Sequence, residues 1–83
     1  SEDPIKTAAK LLSQNQPESA ILTINGVEPR TLSASQRAEI LRIKASAYRL
    51  LNMTIAALRF DAERLRYVES ETLVIVARKI LEE

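Results

Sequence analysis

Residues 33–52 read SASQRAEILRIKASAYRLLN and carry the start, the body and the end of one helix. Ser33 and Gln36 have the spacing of a capping box, in which the serine side chain reaches forward and the glutamine side chain reaches back. Asn52 is suited to the left-handed conformation that ends many helices. Thr54 follows as a candidate cap for another helix. The stretch therefore predicts a long helix, a short turn and a second helix.

Similar start and stop signals lie on both sides of this stretch. Asp3 precedes Pro4, which places a capping carboxylate before a proline at the first helical position. Gly26 favours a helix end near Asn25. Ser70 is a candidate cap for a last helix. The signals together predict five helices, at about 4–14, 17–25, 33–51, 54–67 and 70–82.

The composition supports an all-α fold of one small domain. The chain has 83 residues, of which 46% are hydrophobic and only one is glycine. A β or α/β domain needs more turn-forming residues than this, whereas the abundant Ala, Leu, Glu, Arg and Gln favour helices. The β-branched run at 73–76 also fits a strand, but its flanks favour a buried helix.

The chain partly matches itself when it is shifted by 37 positions, and repeats of 20–50 residues are typical of solenoids. The shift predicts tetratricopeptide-like (TPR-like) antiparallel helical hairpins, stacked as a right-handed solenoid. The repeat-like units are about 4–29 and 33–67, followed by a final helix at about 70–82. A plain helical bundle whose alanines coincide by composition is the alternative. The matched pairs are Ala8 with Ala45, Leu11 with Tyr48, Asn15 with Asn52, Ala20 with Ala57 and Ile21 with Leu58.

Several classes of chemistry lack their usual residues. The chain has no cysteine and no histidine, so disulfides, thiolate metal sites and the commonest general base are absent from it. It also lacks a glycine-rich phosphate loop and metal-ligand spacing. We therefore expect no enzyme, no cofactor and no metal. No apolar run approaches the ~18–20 residues of a membrane span, so no transmembrane segment is predicted.

The net charge of +1 is unevenly distributed. Residues 1–29 carry −2, residues 30–66 carry +5 and residues 67–83 carry −2. The basic middle fits either an anion-binding surface or an ordinary solvated helix face. Nucleic-acid binding is an alternative function, but two tyrosines and one phenylalanine make no stacking platform. We therefore expect an acidic protein partner in preference to a nucleic acid.

The candidate binding residues follow from the predicted solenoid. In such a stack the first helix of each hairpin lines the concave groove, here 4–14 and 33–51. Basic side chains on these helices would contact an acidic partner, while Tyr48 and Asn52 would supply packing and amide hydrogen bonds. Tyr48 also fits the core, because it is in register with Leu11. The partner-binding candidates are Lys10, Arg37, Arg42, Lys44, Tyr48, Arg49 and Asn52.

The last predicted helix is apolar nearly all round, which predicts that it is covered on both sides. Val74 and Ile75 lie outside its main apolar face. More chain or a second copy would cover them. A helical oligomerisation module that dimerises through Val74 and Ile75 is therefore a further alternative.

The linker Leu32-Ser33-Ala34-Ser35-Gln36, between an Ala/Leu-rich helix pair and a long helix, resembles the amino-terminal domain of the LpoA family. These outer-membrane lipoproteins activate a bifunctional penicillin-binding protein in peptidoglycan synthesis. The resemblance implies a TPR-like fragment that serves as an interaction scaffold for such a synthase. It also implies a periplasmic location, anchored to the outer membrane in the parent protein, with a cytoplasmic location as the alternative. The family's lipidated cysteine and second domain are not in this chain.

Overall fold

The computed structural model describes residues 3–82, and within them the side chains of all but residues 69–74. Four α-helices follow one another along the chain, with a 3-10 turn, Pro29–Thr31, between the second and the third. No strand is present over these residues, which confirms the prediction of an all-α fold. The α-helices are α1 (Pro4–Ser13), α2 (Pro17–Asn25), α3 (Ala34–Leu50) and α4 (Thr54–Glu82).

Local caps fix the starts of α1 and α3. The Asp3 carboxylate accepts a hydrogen bond from the backbone N–H of Ile5 at 2.9 Å. Ser33 Oγ accepts from the Gln36 N–H at 3.1 Å, and Gln36 Oε1 accepts from the Ser33 N–H at 2.8 Å. Both predicted caps are therefore confirmed, and the capping box begins the helix that packs against all the others.

The predicted helices at 54–67 and 70–82 are one helix, so their separation was wrong. No glycine or proline lies in this region, and serine inside a helix costs only about 0.5 kcal/mol relative to alanine. Ser70 therefore continues α4 rather than capping a new helix, although its side chain lies outside the described residues. The prediction that Thr54 is a cap was also wrong, because α4 begins at Thr54 itself.

The helices form two hairpins around a small apolar core. Helix α1 packs on α2, and α3 packs on α4, while α3 also contacts both α1 and α2. Among the described elements, α4 contacts only α3. The buried cluster that joins the first hairpin to α3 consists of Ala8, Ala20, Ile24, Ile40 and Ile43.

The alanines of the 37-residue register lie where the two helices of each hairpin meet. Ala8 and Ala20 are 0% exposed in the first hairpin, and Ala45 and Ala57 are 1% and 0% exposed in the second. Small side chains at these positions let the helix backbones approach each other closely. The correspondence supports the predicted repeat, whereas the stacking of the hairpins as a right-handed solenoid stays a prediction.

Candidate partner-binding surfaces

A groove of about 240 Å³ lies between the end of α2 and α4, with α3 at its base. We call it the α2–α4 groove. Its walls are largely apolar, and three charged side chains lie among them. One aromatic residue, Tyr67, lines it from α4. The apolar residues of the groove are Ile24, Val27, Pro29, Leu32, Ile40 and Leu41, and the charged ones are Arg37, Lys44 and Glu63.

Arg37 and Lys44 are the two predicted binding residues that line this groove. They are seven residues apart on α3, so they share a helix face and are separated by a rise of about 10 Å. The Arg37 guanidinium donates a hydrogen bond to the carbonyl of Pro29 at 2.9 Å, which ties α3 to the 3-10 turn. That bond uses one of its five donors, so Arg37 keeps the capacity to bind an anion.

Lys44 belongs to a cluster that joins α3 to α4. Its Nζ lies 5.6 Å from the centroid of the Phe60 ring, within the range of a cation–π contact. Tyr48 stacks on the same Phe60 ring, with the two ring centroids 5.3 Å apart and the planes inclined by 24°. The Tyr48 ring therefore serves the α3–α4 interface, in agreement with its register with Leu11.

Arg42 and Arg49 lie on a different side of α3 from the groove, and each is paired with a carboxylate. Arg42 bonds Glu39 through two hydrogen bonds, Nε to Oε2 at 3.0 Å and Nη2 to Oε1 at 2.5 Å. Arg49 forms an ion pair with Asp61 of α4. The structure therefore does not bring these two arginines together with Arg37 and Lys44, because the two pairs start from opposite sides of the helix.

The pairing of Glu39 with Arg42 changes the pKa of both side chains. The hydrogen bond from Arg42 lowers the pKa of the Glu39 carboxyl, while burial opposes that shift and the charges of Arg42 and Arg64 add to it. The same hydrogen bond raises the pKa of the Arg42 guanidinium. Both groups stay charged at neutral pH, and each already has an ion-pair partner within α3.

A second groove, of about 370 Å³, lies between α1 and α3, the two helices that the solenoid prediction assigned to a concave surface. None of the seven predicted binding residues lines it. The prediction that these residues bind a partner therefore gains no support from this groove, and it stays a prediction. On α3 this groove is lined by Ser35, Gln36 and Glu39, whereas Arg37 and Lys44 line the α2–α4 groove. The groove is lined by Asp3, Ile5, Lys6, Ala9, Ser35, Gln36 and Glu39.

The two remaining predicted residues lie at helix ends. Lys10 is exposed in the last turn of α1, where its charge is favourable to the helix dipole. Asn52 follows α3 with a φ of 61°, so its conformation serves the turn between α3 and α4. Neither residue lines the α2–α4 groove.

The second hairpin is charged where the first is apolar. Ile5, Leu12, Ile24 and Val27 of the first hairpin lie in or against the core that α3 completes. The residues that lie 37 positions later, in the second hairpin, are ionic. We call these four residues the charged end face. A helix could dock there as α3 docks on α1 and α2 only if it carried complementary charges. The corresponding pairs are Ile5 with Arg42, Leu12 with Arg49, Ile24 with Asp61 and Val27 with Arg64.

Sequence reasoning missed the residues that α4 and the segment after α2 contribute to the α2–α4 groove. Val27, Glu63 and Tyr67 come from segments far apart in sequence, and only the packing of α2 and α4 around α3 brings them together. No local motif marks such a convergence. The Glu39–Arg42 pair, by contrast, has the local i, i+3 spacing that brings two side chains together on a helix.

Comparisons with known proteins found no match: no family model, no curated protein and no solved structure is similar to this chain. Among the described residues, no helix is both long enough and apolar enough to cross a bilayer. No group of three or more acidic residues that could hold a metal ion occurs in the same part of the chain. A proposal about function therefore depends on the surfaces described above.

Proposed function

We propose that this chain is a TPR-like protein-interaction scaffold that binds an acidic, partly apolar protein segment in the α2–α4 groove. The observation that carries the proposal is the combination of an apolar base, Ile40 and Leu41, with two cations on the same helix face, Arg37 and Lys44. Apolar side chains of a partner would fill the groove, and carboxylates would meet the cations.

The spacing of the two cations suggests what the partner segment looks like. Arg37 and Lys44 are separated by seven residues of α3, which is a rise of about 10 Å. Two carboxylates seven residues apart on a partner helix have the same separation. An amphipathic helix with this acidic spacing and with leucines between the acids would therefore match the groove in both charge and apolar surface.

The basic residues outside the groove contribute less to this proposal. Arg42 and Arg49 already pair with Glu39 and Asp61, so their attraction for an outside anion is reduced. The same pairing weakens the case for nucleic acid, which needs unpaired cations along its phosphates. The proposal therefore depends on Arg37 and Lys44, the two cations that line the groove.

The biological setting that we propose rests on the resemblance of the Leu32–Gln36 linker to the LpoA family. In that setting the chain is part of a lipoprotein activator of peptidoglycan synthesis, anchored to the outer membrane and acting in the periplasm. The partner would be a bifunctional penicillin-binding protein. This setting is a separate step from the groove, and it can fail while the scaffold proposal stands.

The experiment is an NMR titration of the isotope-labelled protein with two protein probes. One probe is a model helix that carries two glutamates seven residues apart with leucines between them, and the other is the periplasmic part of a bifunctional penicillin-binding protein. We expect both to shift the amide signals of the groove. Shifts with the model helix alone would remove the LpoA setting, and no groove shift with either probe would overturn the scaffold proposal.

A matched pair of substitutions locates the binding. Lys44→Gln removes a groove cation, and Arg49→Gln removes a cation from the same helix outside the groove. We expect Lys44→Gln to weaken binding of the model helix several-fold and Arg49→Gln to leave it nearly unchanged. Equal losses would mean that only the total charge matters. A DNA duplex at two salt concentrations serves as the contrasting probe, because binding to it alone, lost at high salt, would favour the nucleic-acid alternative.

A further inference from the structure

Glu63 is the only acidic residue among the described ones that line the α2–α4 groove. It lies on α4, whereas the two cations of the groove lie on α3. Its side chain is exposed, and its carboxylate forms no ion pair with any other residue that the structure describes. Arg59 and Arg66 lie one turn away on either side of it and line a separate small pocket with it. The carboxylate of Glu63 is therefore available to a partner in the groove.

The contacts between α3 and α4 fix the height of Glu63 in the groove. Lys44 Nζ lies 5.6 Å from the centroid of the Phe60 ring, so these two residues mark one level of the helix pair. The helices run antiparallel, so three residues back on α3 correspond to three residues forward on α4. Glu63 is therefore level with Leu41, about 4.5 Å along the axis from the level of Lys44 and about 6 Å from that of Arg37. The acid lies between the two cations, on the opposite wall.

A partner helix with two acids seven positions apart fits the two cations in either direction. If the acids occupy positions 1 and 8 of the partner, positions 4 and 5 lie between them, about 50° to either side of the face that carries the acids. Reversing the helix exchanges positions 1 and 8, and it also exchanges positions 4 and 5. The two cations alone therefore do not select a direction, whereas a charge on one wall of the groove does.

We propose that Glu63 selects the direction of the bound helix by pairing with a lysine or arginine of the partner at position 4 or 5. This inference rests on the proposed function and names its ligand more closely, as a helix with the charge order acid, base, acid. In each direction only one of the two central positions lies toward α4. A base at position 4 and a base at position 5 therefore lead to opposite directions, and an acid at the position toward α4 is repelled by Glu63.

The affinities of four model helices test the pairing. All four carry glutamates at positions 1 and 8, and two of them carry lysine at position 4 or at position 5. The other two carry glutamine in place of that lysine, and leucine fills the remaining central position in each. We expect each lysine helix to bind about two- to fivefold more tightly than its glutamine counterpart, which is the range of an exposed ion pair.

A matched pair of protein variants assigns this advantage to Glu63. Glu63→Gln should remove the advantage of lysine over glutamine. Glu82→Gln should keep it, because Glu82 lies about 28 Å further along α4, beyond the Debye length of about 8 Å at physiological ionic strength. The comparison also subtracts any effect of lysine on the helicity of the free peptide, since the same peptides meet every variant.

The direction is read from a nitroxide spin label at the amino terminus of each lysine helix. We expect the label to broaden the amide signal of Arg37 with one of the two helices and that of Lys44 with the other. Broadening at the same end with both helices would overturn the selection of direction.

The outcomes separate this inference from the proposed function. If the glutamine helices bind in the groove but lysine adds nothing, or adds as much in Glu63→Gln, the inference is wrong and the scaffold proposal stands. If none of the four helices binds in the groove, both are overturned.

Discussion

Asn15 and Asn52, which are 37 positions apart, adopt the same left-handed backbone conformation, with φ of 60° and 61°. Each residue follows the first helix of a hairpin, and each helix end is closed by the same pair of hydrogen bonds. This arrangement is a Schellman motif with asparagine in place of the usual glycine. The matching bonds are Gln16 N–H to Leu11 O at 2.9 Å with Met53 N–H to Tyr48 O at 2.8 Å, and Asn15 N–H to Leu12 O with Asn52 N–H to Arg49 O, both at 3.0 Å.

The first prediction concerns the two asparagines. Asn15→Ala and Asn52→Ala should each lower the free energy of unfolding by about 1 kcal/mol, because a Cβ without a compensating polar group is strained at positive φ. Asn52→Gly should be neutral or slightly stabilising, since glycine adopts this conformation without strain. Urea unfolding followed by circular dichroism measures both changes.

Gly26 provides the control for these substitutions. Its φ is −82°, and an added Cβ would meet the Thr23 carbonyl at 3.6 Å, an ordinary contact. Gly26→Ala should therefore be tolerated or slightly stabilising. If the asparagine-to-alanine variants proved as stable as Gly26→Ala, the left-handed turns would not be what closes the two hairpins.

The second prediction concerns the close approach of α3 and α4. Ala57 is 0% exposed, so Ala57→Leu should overpack the helix contact and lower the free energy of unfolding by about 1–3 kcal/mol. Ala62→Leu makes the same change at an exposed position of the same helix and should stay within about 0.5 kcal/mol. Thermal unfolding of the two variants distinguishes them, and equal losses would contradict the buried placement of Ala57.

The third prediction concerns pH. The pKa of Glu39 is lowered in the folded state by its hydrogen bond to Arg42. The pair therefore stabilises the fold above the unfolded pKa of about 4.3, and this stability is lost as the pH falls through the folded pKa. Both side chains are more than a third exposed, so solvent screening limits the effect to about 1 kcal/mol or less.

Urea unfolding at pH 7 and at pH 3 measures this contribution. Glu39→Gln should reduce the difference in stability between the two pH values, because its side chain does not ionise. Glu82→Gln removes an exposed carboxylate at the far end of α4 and should leave the difference unchanged. A full pH dependence in Glu39→Gln would place the acid sensitivity elsewhere in the chain.

The fourth prediction concerns Arg37, whose guanidinium holds the carbonyl of Pro29. Arg37→Ala should loosen the 3-10 turn and speed amide exchange at Thr31 and Leu32, whose N–H groups donate to Glu28 and Pro29 at 3.3 Å. Global stability should fall by less than about 1 kcal/mol, because the bond is exposed. Hydrogen-exchange NMR reports both effects, and unchanged exchange in the turn would contradict the tether.

Much of the fold follows from short-range signals in the sequence. Asp3 and the Ser33–Gln36 box act on backbone groups two or three residues away, so their effect can be predicted without knowledge of the rest of the chain. The end of α3 at Asn52 has the same local character. The boundary at Ser70 could not be predicted in this way, because a weak cap signal competes with the cooperativity of a helix that is already formed.

The candidate site was predicted only in part. Arg37 and Lys44 were predicted as binding residues of the long helix, and the structure places both in the α2–α4 groove. Arg42 and Arg49 had the same periodicity and a similar charge. Their carboxylate partners and their place on another side of α3 depend on where α4 packs, and that information is spread over the whole chain.

By itself, therefore, the sequence determined the helical class, the starts of the four α-helices and the left-handed turn at Asn52, since each depends on residues within about one helical turn. The 37-residue register and the buried alanines also followed from it, because helix periodicity fixes which side chains share a face. The tertiary structure decided the continuity of α4, the composition of the groove and the charged end face. These features depend on contacts between residues far apart in sequence, where burial and pairing decide which side chains stay available.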